Sequence, residues 1–157
     1  MALLRRLTPA DLPRLRQFWH DHWAGEEMIV HGEVYRPESV EGYVTDDWAG
    51  VVTYVISGGV CEIMSLDSLR EGGGTGIALV DAVVAEARQR SCHRLVVSTT
   101  NDNLHALGFY QRRGFELVGI GRGAVDQARK HKPAIPLIGD DNIPVRDEIE
   151  LEMDLQA

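Results

Sequence analysis

Glu71-Gly72-Gly73-Gly74-Thr75-Gly76-Ile77-Ala78-Leu79 follows a strand-like run, Val60 to Leu66, and leads into a helix-like run, Gly76 to Arg90. A strand, a glycine turn and a helix N-terminus in succession build an anion site. Glycine tolerates positive φ and close approach of a ligand, and the unpaired N–H groups of a first helical turn favour phosphate. Two common phosphate loops do not fit. A Walker loop needs Lys followed by Ser or Thr where Ile77-Ala78 stands, and a Rossmann turn needs a third glycine where Ile77 stands, in a leading βαβ unit rather than near mid-chain. The turn therefore suits a phosphate-bearing cofactor of another kind.

Working outward, Leu3 to Leu7 reads as a first strand, and Thr8-Pro9-Ala10-Asp11 as a helix start with Thr8 capping and Pro9 at N1. Leu12, Leu15, Trp19 and Trp23 continue at helical spacing as core positions, and Gly25 stops the helix. Glu26 to Glu41 is mixed in signal and reads as a loop with one short helix. Gly42 to Asp46, Val51 to Ser57 and Val60 to Leu66 form an antiparallel meander into the glycine turn. Leu79, Val80, Val83, Val84 and Ala87 make the apolar face of the next helix. A strand from Arg94 to Thr99 follows, then a helix capped by Asp102 that runs to Arg113 and stops at Gly114, then a strand from Phe115 to Ile120. A long loop, 122–146, leads to Glu148 to Leu155. There Ile149, Leu151, Met153 and Leu155 alternate with Glu148, Glu150, Glu152 and Asp154, the pattern of a half-buried last strand. The element order indicates an α/β or α+β fold.

At 157 residues, 44% apolar and 25% charged, the chain reads as one globular domain that buries roughly 70% of its unfolded surface. It has no apolar run of membrane-spanning length and no signal-peptide pattern, which places it in the cytoplasm. Cys61 and Cys92 read as reduced structural thiols. A net charge of −8 argues against nucleic acid as partner and suits an amine-bearing one. The six histidines show no metal-ligand spacing, so no metal is expected.

The second block is Asn103-Leu104-His105-Ala106-Leu107-Gly108-Phe109-Tyr110-Gln111-Arg112-Arg113-Gly114-Phe115. With the glycine turn upstream, it resembles the GNAT superfamily of acyl-CoA-dependent N-acetyltransferases, whose later motif runs Asn-x-x-Ala-x-x-aromatic-Tyr-x-x-x-Gly-Phe. Asn103, Ala106, Phe109, Tyr110, Gly114 and Phe115 occupy its positions. Gly74 and Gly76 fall on the two glycines of the family's pyrophosphate loop. Glu71 stands where that loop has Arg or Gln, next to Arg70.

The resemblance implies a GNAT-like mixed, mostly antiparallel central sheet with flanking helices. In it Val60 to Leu66 splays from Arg94 to Thr99 to make a cleft for pantetheine. It implies acetyl-CoA as co-substrate, main-chain contacts from Leu66, Asp67 and Ser68, and a pyrophosphate loop of Glu71, Gly72, Gly73, Gly74, Thr75 and Gly76. Asn103 would hold the pantetheine arm, although its residue type serves equally well at a helix-start turn. Tyr110 is the position from which the family protonates the leaving thiolate, a role that suits a phenol; taken alone, it reads as a core aromatic beside Phe109.

An attacking amine must lose a proton, and a carboxylate on the cleft strand is the usual kind of base. Glu62 is the candidate, on one face with Met64 and Leu66 by strand alternation, and Asp67 is the reserve. The leading function is acetyl transfer from acetyl-CoA to a primary amine of a small molecule or peptide. The alternative is a non-catalytic acyl-CoA-binding or sensing module, which needs neither Glu62 nor Tyr110. The early loop, 26–35, and the late loop overhang the acceptor side. Sheet edges and the late loop point to a homodimer.

Overall fold

The computed structural model describes residues 3–70 and 72–156. Strand β1 (Leu4–Arg6) leads through a 3₁₀ turn (Pro9–Asp11) into α1 (Leu12–His22). Thr8 backbone N–H donates to Asp11 Oδ2 at 2.7 Å, so the acidic residue in the first turn satisfies an orphan donor of the helix entry. A separate hairpin follows, β2 (Met28–Val30) and β3 (Glu33–Tyr35), then β4 (Glu41–Thr45), β5 (Gly50–Ser57) and β6 (Val60–Ser68) as the antiparallel meander. Helix α2 (Thr75–Gln89) connects β6 to β7 (Arg94–Thr100). Helix α3 (Leu104–Arg112), β8 (Glu116–Gly121), α4 (Ala124–His131) and β9 (Glu148–Asp154) complete the chain.

Seven strands form one sheet in the order β1-β4-β5-β6-β7-β9-β8, and every adjacent pair is antiparallel except β6–β7. The fold class is the one expected, a mixed and mostly antiparallel sheet with one parallel pair and helices on both faces. Leu79, Val80, Val83 and Ala87 of α2 are buried on one face, against Val52, Tyr54, Ile63, Leu95, Val97 and Leu151. Leu15, Phe18 and Trp19 of α1 close the other face with Met28, Val44, Val51 and Met64. Gly50 lets these layers close up, since a Cβ there would stand 2.5 Å from Thr75 Cγ2. Cys61 and Cys92 are both buried and unpaired. No helix among the described residues is long and apolar enough to cross a membrane.

Three expectations change. Residues 26–41 contain the β2–β3 hairpin, which turns on His31 (φ 53) and Gly32 (φ 77), with only a 3₁₀ turn at Pro37–Ser39 as helix. The 122–146 segment is not all loop, since α4 occupies its first third and is entered through Gly123 at φ 73. The cap of α3 is Asn103, whose Oδ1 accepts from Ala106 N–H at 3.1 Å. Asp102 is buried instead and accepts from Thr100 Oγ1 at 2.5 Å and from Asp140 N–H at 3.1 Å, which pins the late segment.

Candidate active site

The parallel register between β6 and β7 runs from Val60↔Arg94 to Ile63↔Val97 and ends there. Beyond it β6 continues to pair with β5, and β7 with β9, so the two strands part with one backbone edge each left without a strand partner. A β-bulge causes the parting on the β6 side. Thr53 pairs with Ser65 and Tyr54 with Ile63, so Met64 is the extra residue, and a bulge bends its strand. The bulge also corrects the expected facing. Cys61, Ile63 and Leu66 lie with the α2 core, whereas Met64 lies with the α1 core. Glu62 pairs with Val55 and Asp67 with Val51, both of the α1 side, so Glu62 shares its face with Asp67 and not with Leu66.

The glycine turn and the Asn103–Phe115 block meet at the open end of this cleft. A Cβ on Gly76 would lie 3.5 Å from the Phe109 ring and 3.8 Å from Ser68 Cβ, so the first turn of α2, the end of β6 and α3 converge. Gly72 and Gly74 have φ of 76 and 73, and Gly74 is the N-cap of α2. Nothing stands within 4 Å of a Cβ on either one, while Gly73 has only Thr75 Oγ1 nearby at 3.8 Å. A loop with open space before it, ahead of a 15-residue helix, has the geometry in which N–H groups can receive an anion. Glu71 lies outside the described residues. Arg70, the neighbouring cation, is turned to Asp47, with Nη2 2.5 Å from Oδ2.

Tyr110 is 6% exposed and packs edge-on against Phe109 and Phe115, with centroids 5.5 and 5.3 Å away. Burial, with a smaller contribution from the Asp67 charge, raises its pKa, so the phenol keeps its proton. Asp67 accepts from Trp23 Nε1 at 2.8 Å, and burial pushes its pKa up to about 6 against that hydrogen bond.

Under the β2–β3 hairpin Glu62 is 14% exposed, and burial raises its pKa while His31 opposes the rise. His31 Nε2 stands 3.1 Å from Glu62 Oε2, and its Nδ1 3.1 Å from Glu148 Oε1. Glu150 and Ser98 flank Nε2 at 3.8 and 3.5 Å. Sequence reasoning missed this grouping of β6, β7 and β9 under the hairpin. The signal for β9 was present in its row of glutamates, and the topology makes that row a floor by placing β9 inside the sheet. Among the described residues, no group of three or more His, Cys, Asp or Glu side chains is arranged to hold a metal ion.

A bulged strand splayed from a parallel neighbour, with a glycine-capped helix at its open end, defines an acyl-transfer fold with a cleft through its sheet. The sequence matches the acetyltransferase (GNAT) family over residues 6–115, and the chain belongs to that family. It is 41% identical over 153 residues to the uncharacterised protein YxbD of Bacillus subtilis (strain 168), covering 95% of each chain. It is 30% identical over 115 residues to an L-methionine sulfoximine/L-methionine sulfone acetyltransferase of Pseudomonas aeruginosa, covering 71% of this chain and 64% of that one. A Bacillus subtilis acetyltransferase solved in complex with CoA superposes with a TM-score of 0.72 at 18% identity, over 98% of this chain and 99% of that one.

Proposed function

We propose that this single-domain protein transfers an acetyl group from acetyl-CoA to a primary amine of a small molecule or peptide, by direct attack in the β6–β7 cleft. The observation that carries the reading is Glu62, a poorly exposed carboxylate with a raised pKa beside the point where β6 and β7 part. The open glycine turn supports a CoA pyrophosphate site at Gly72, Gly73, Gly74, Thr75 and Gly76, and Glu71 belongs to the same loop in this reading. Leu66, Asp67 and Ser68 offer their backbone to the pantetheine arm. Asn103 spends Oδ1 on its helix and keeps its amide N–H groups for the same ligand.

In the reaction Glu62 takes a proton from the amine, directly or through water, and the nitrogen lone pair attacks the thioester carbonyl carbon. The C–N bond forms, the C–S bond breaks, the leaving sulfur takes the phenolic proton of Tyr110, and the nitrogen of an acceptor that arrived as an ammonium gives up its second proton to solvent. Glu62 and Tyr110 then exchange protons with solvent. The products are the N-acetyl amine and the CoA thiol, and atoms balance without a metal or redox partner. An acidic floor of Glu62, Glu148 and Glu150 favours an acceptor that arrives as an ammonium. The acetyltransferase relative named for methionine sulfoximine and sulfone supports the small-molecule end of the range. A homodimer through edge strand β8, whose Leu117, Val118 and Ile120 are exposed, belongs to the same proposal.

The test is calorimetric titration with acetyl-CoA followed by thiol release across an amine panel. Saturable thiol release with at least one amine supports the reading. Tight acetyl-CoA binding without release from any amine favours the binding module. Tyr110→Phe should lower turnover, and unchanged turnover removes Tyr110 from the general-acid role.

A further inference from the structure

The β2–β3 hairpin reverses through two residues, His31 and Gly32, both at positive φ, with Val30 paired to Glu33. Positive φ at both central positions is the type I′ geometry, for which Asn-Gly is the favoured pair and a histidine is a costlier choice. The side chain that occupies this tight turn bridges Glu62 and Glu148 with its two ring nitrogens, at 3.1 Å each. Among the described residues, His31 is the one ion-pair partner of Glu62, Glu148 and Glu150 alike.

Counting protons fixes what this bridge does. With Nε2 hydrogen-bonded to Glu62 and Nδ1 3.1 Å from Glu148, the ring either donates from Nε2 to an ionised Glu62, as an imidazolium does, or accepts there from a protonated one. In the first state Glu62 is an ionised base, and in the second it holds the proton it would need to lose. Glu148 favours the first state through its negative charge, which lies 3.1 Å from Nδ1.

We infer that His31, carried over the cleft by the β2–β3 hairpin and oriented by Glu148, is the positioning residue that keeps Glu62 ionised and aimed for proton abstraction. The inference rests on the amine-acetyltransferase reading above. The groups facing this pair are Glu62 on β6, Ser98 on β7, Glu148 and Glu150 on β9, and Tyr35 on β3, whose hydroxyl donates to Glu33. All the other charged groups are acidic, so loss of the His31 ring pushes Glu62 toward its protonated form. The direction agrees with the opposing effect of His31 on Glu62 already noted.

The experiment uses His31→Asn, which makes the favoured Asn-Gly turn and therefore leaves folding stability unchanged or raised while removing the imidazole. In a kcat/KM profile with acetyl-CoA and the best amine of the panel, the acidic limb should move to higher pH by about one unit. That gives about a tenfold loss below the limb and a much smaller loss on the alkaline plateau. A limb that stays in place, with Glu62→Gln still inactive, overturns this inference alone. Undiminished transfer by Glu62→Gln overturns both it and the reading beneath it.

Discussion

Trp23 Nε1 donates a 2.8 Å hydrogen bond to Asp67 Oδ2 and so ties the residue that ends α1 to the splayed end of β6. The carboxylate sits in a pocket that pushes its pKa from 3.8 up to about 6, burial being the main cause and Trp23 the opposing one. A carboxyl with a raised folded pKa holds its proton in the folded state after the unfolded chain has lost it. Its contribution to stability is therefore present below about pH 4 and lost as pH rises through about 6. Asp67→Asn keeps an acceptor for Trp23 and removes the titration. Urea unfolding of both proteins should show the variant gaining about 1–2 kcal/mol on wild type between about pH 4 and about pH 7.5, allowing for partial exposure. An identical pH dependence would refute the assignment.

Arg6 grips the β1 edge of the sheet on its other face. Its Nη2 and Nη1 donate to Glu86 Oε1 and Oε2 at 2.8 and 3.1 Å, and its guanidinium lies 5.2 Å from the Tyr43 ring centre. The pair joins β1, an edge strand of three residues, to α2. Glu86→Ala should cost about 1–2 kcal/mol, the ordinary loss for a charge-assisted bidentate contact with one exposed partner. Arg6 holds the Glu86 carboxyl below its usual pKa, so this contribution is present at neutral pH and lost as pH falls through that lowered value. Thermal unfolding at neutral and acidic pH measures both effects.

Two glycines of the proposed cofactor loop should separate binding from folding. Gly74 has φ 73, so Gly74→Ala strains the α2 cap by about 1–2 kcal/mol and, with a methyl in the open space before the loop, raises the acetyl-CoA Kd about tenfold or more. Gly76 is helical, and a Cβ there makes an ordinary 3.5 Å contact with Phe109. Gly76→Ala should leave the unfolding midpoint unchanged or raised, by up to about 1 kcal/mol. Calorimetric titration and thermal unfolding of both variants check the contrast, and unaltered acetyl-CoA affinity in Gly74→Ala removes the loop from the cofactor site.

Long periodic segments were legible in the sequence because each writes its own pattern. The α2 stripe of Leu79, Val80, Val83 and Ala87 is buried as read, and β9 buries Leu151, with Ile149 and Met153 partly buried beside it and Leu155 buried just past its end. The β2–β3 hairpin was not legible, because its strands have three residues each and its turn uses His31 where Asn or Asp would signal. Helix α4 hid in a segment whose prolines and glycine dominated the reading. The facing of Leu66 failed for a different reason: alternation counts every residue, and the bulge at Met64 inserts one that the partner strand does not match. The same bulge set Glu62 and Asp67 on one face. The site was thus readable at its motifs and unreadable where distant strands meet, as at Glu62, His31 and Glu148.

The measurement that most directly tests the account is kcat/KM for thiol release by Glu62→Gln, alongside its acetyl-CoA Kd by calorimetry. The account predicts a fall of about 10²–10⁴-fold in kcat/KM with the Kd unchanged, as expected when a general base is lost and the cofactor site is not. Transfer at the wild-type rate would contradict it.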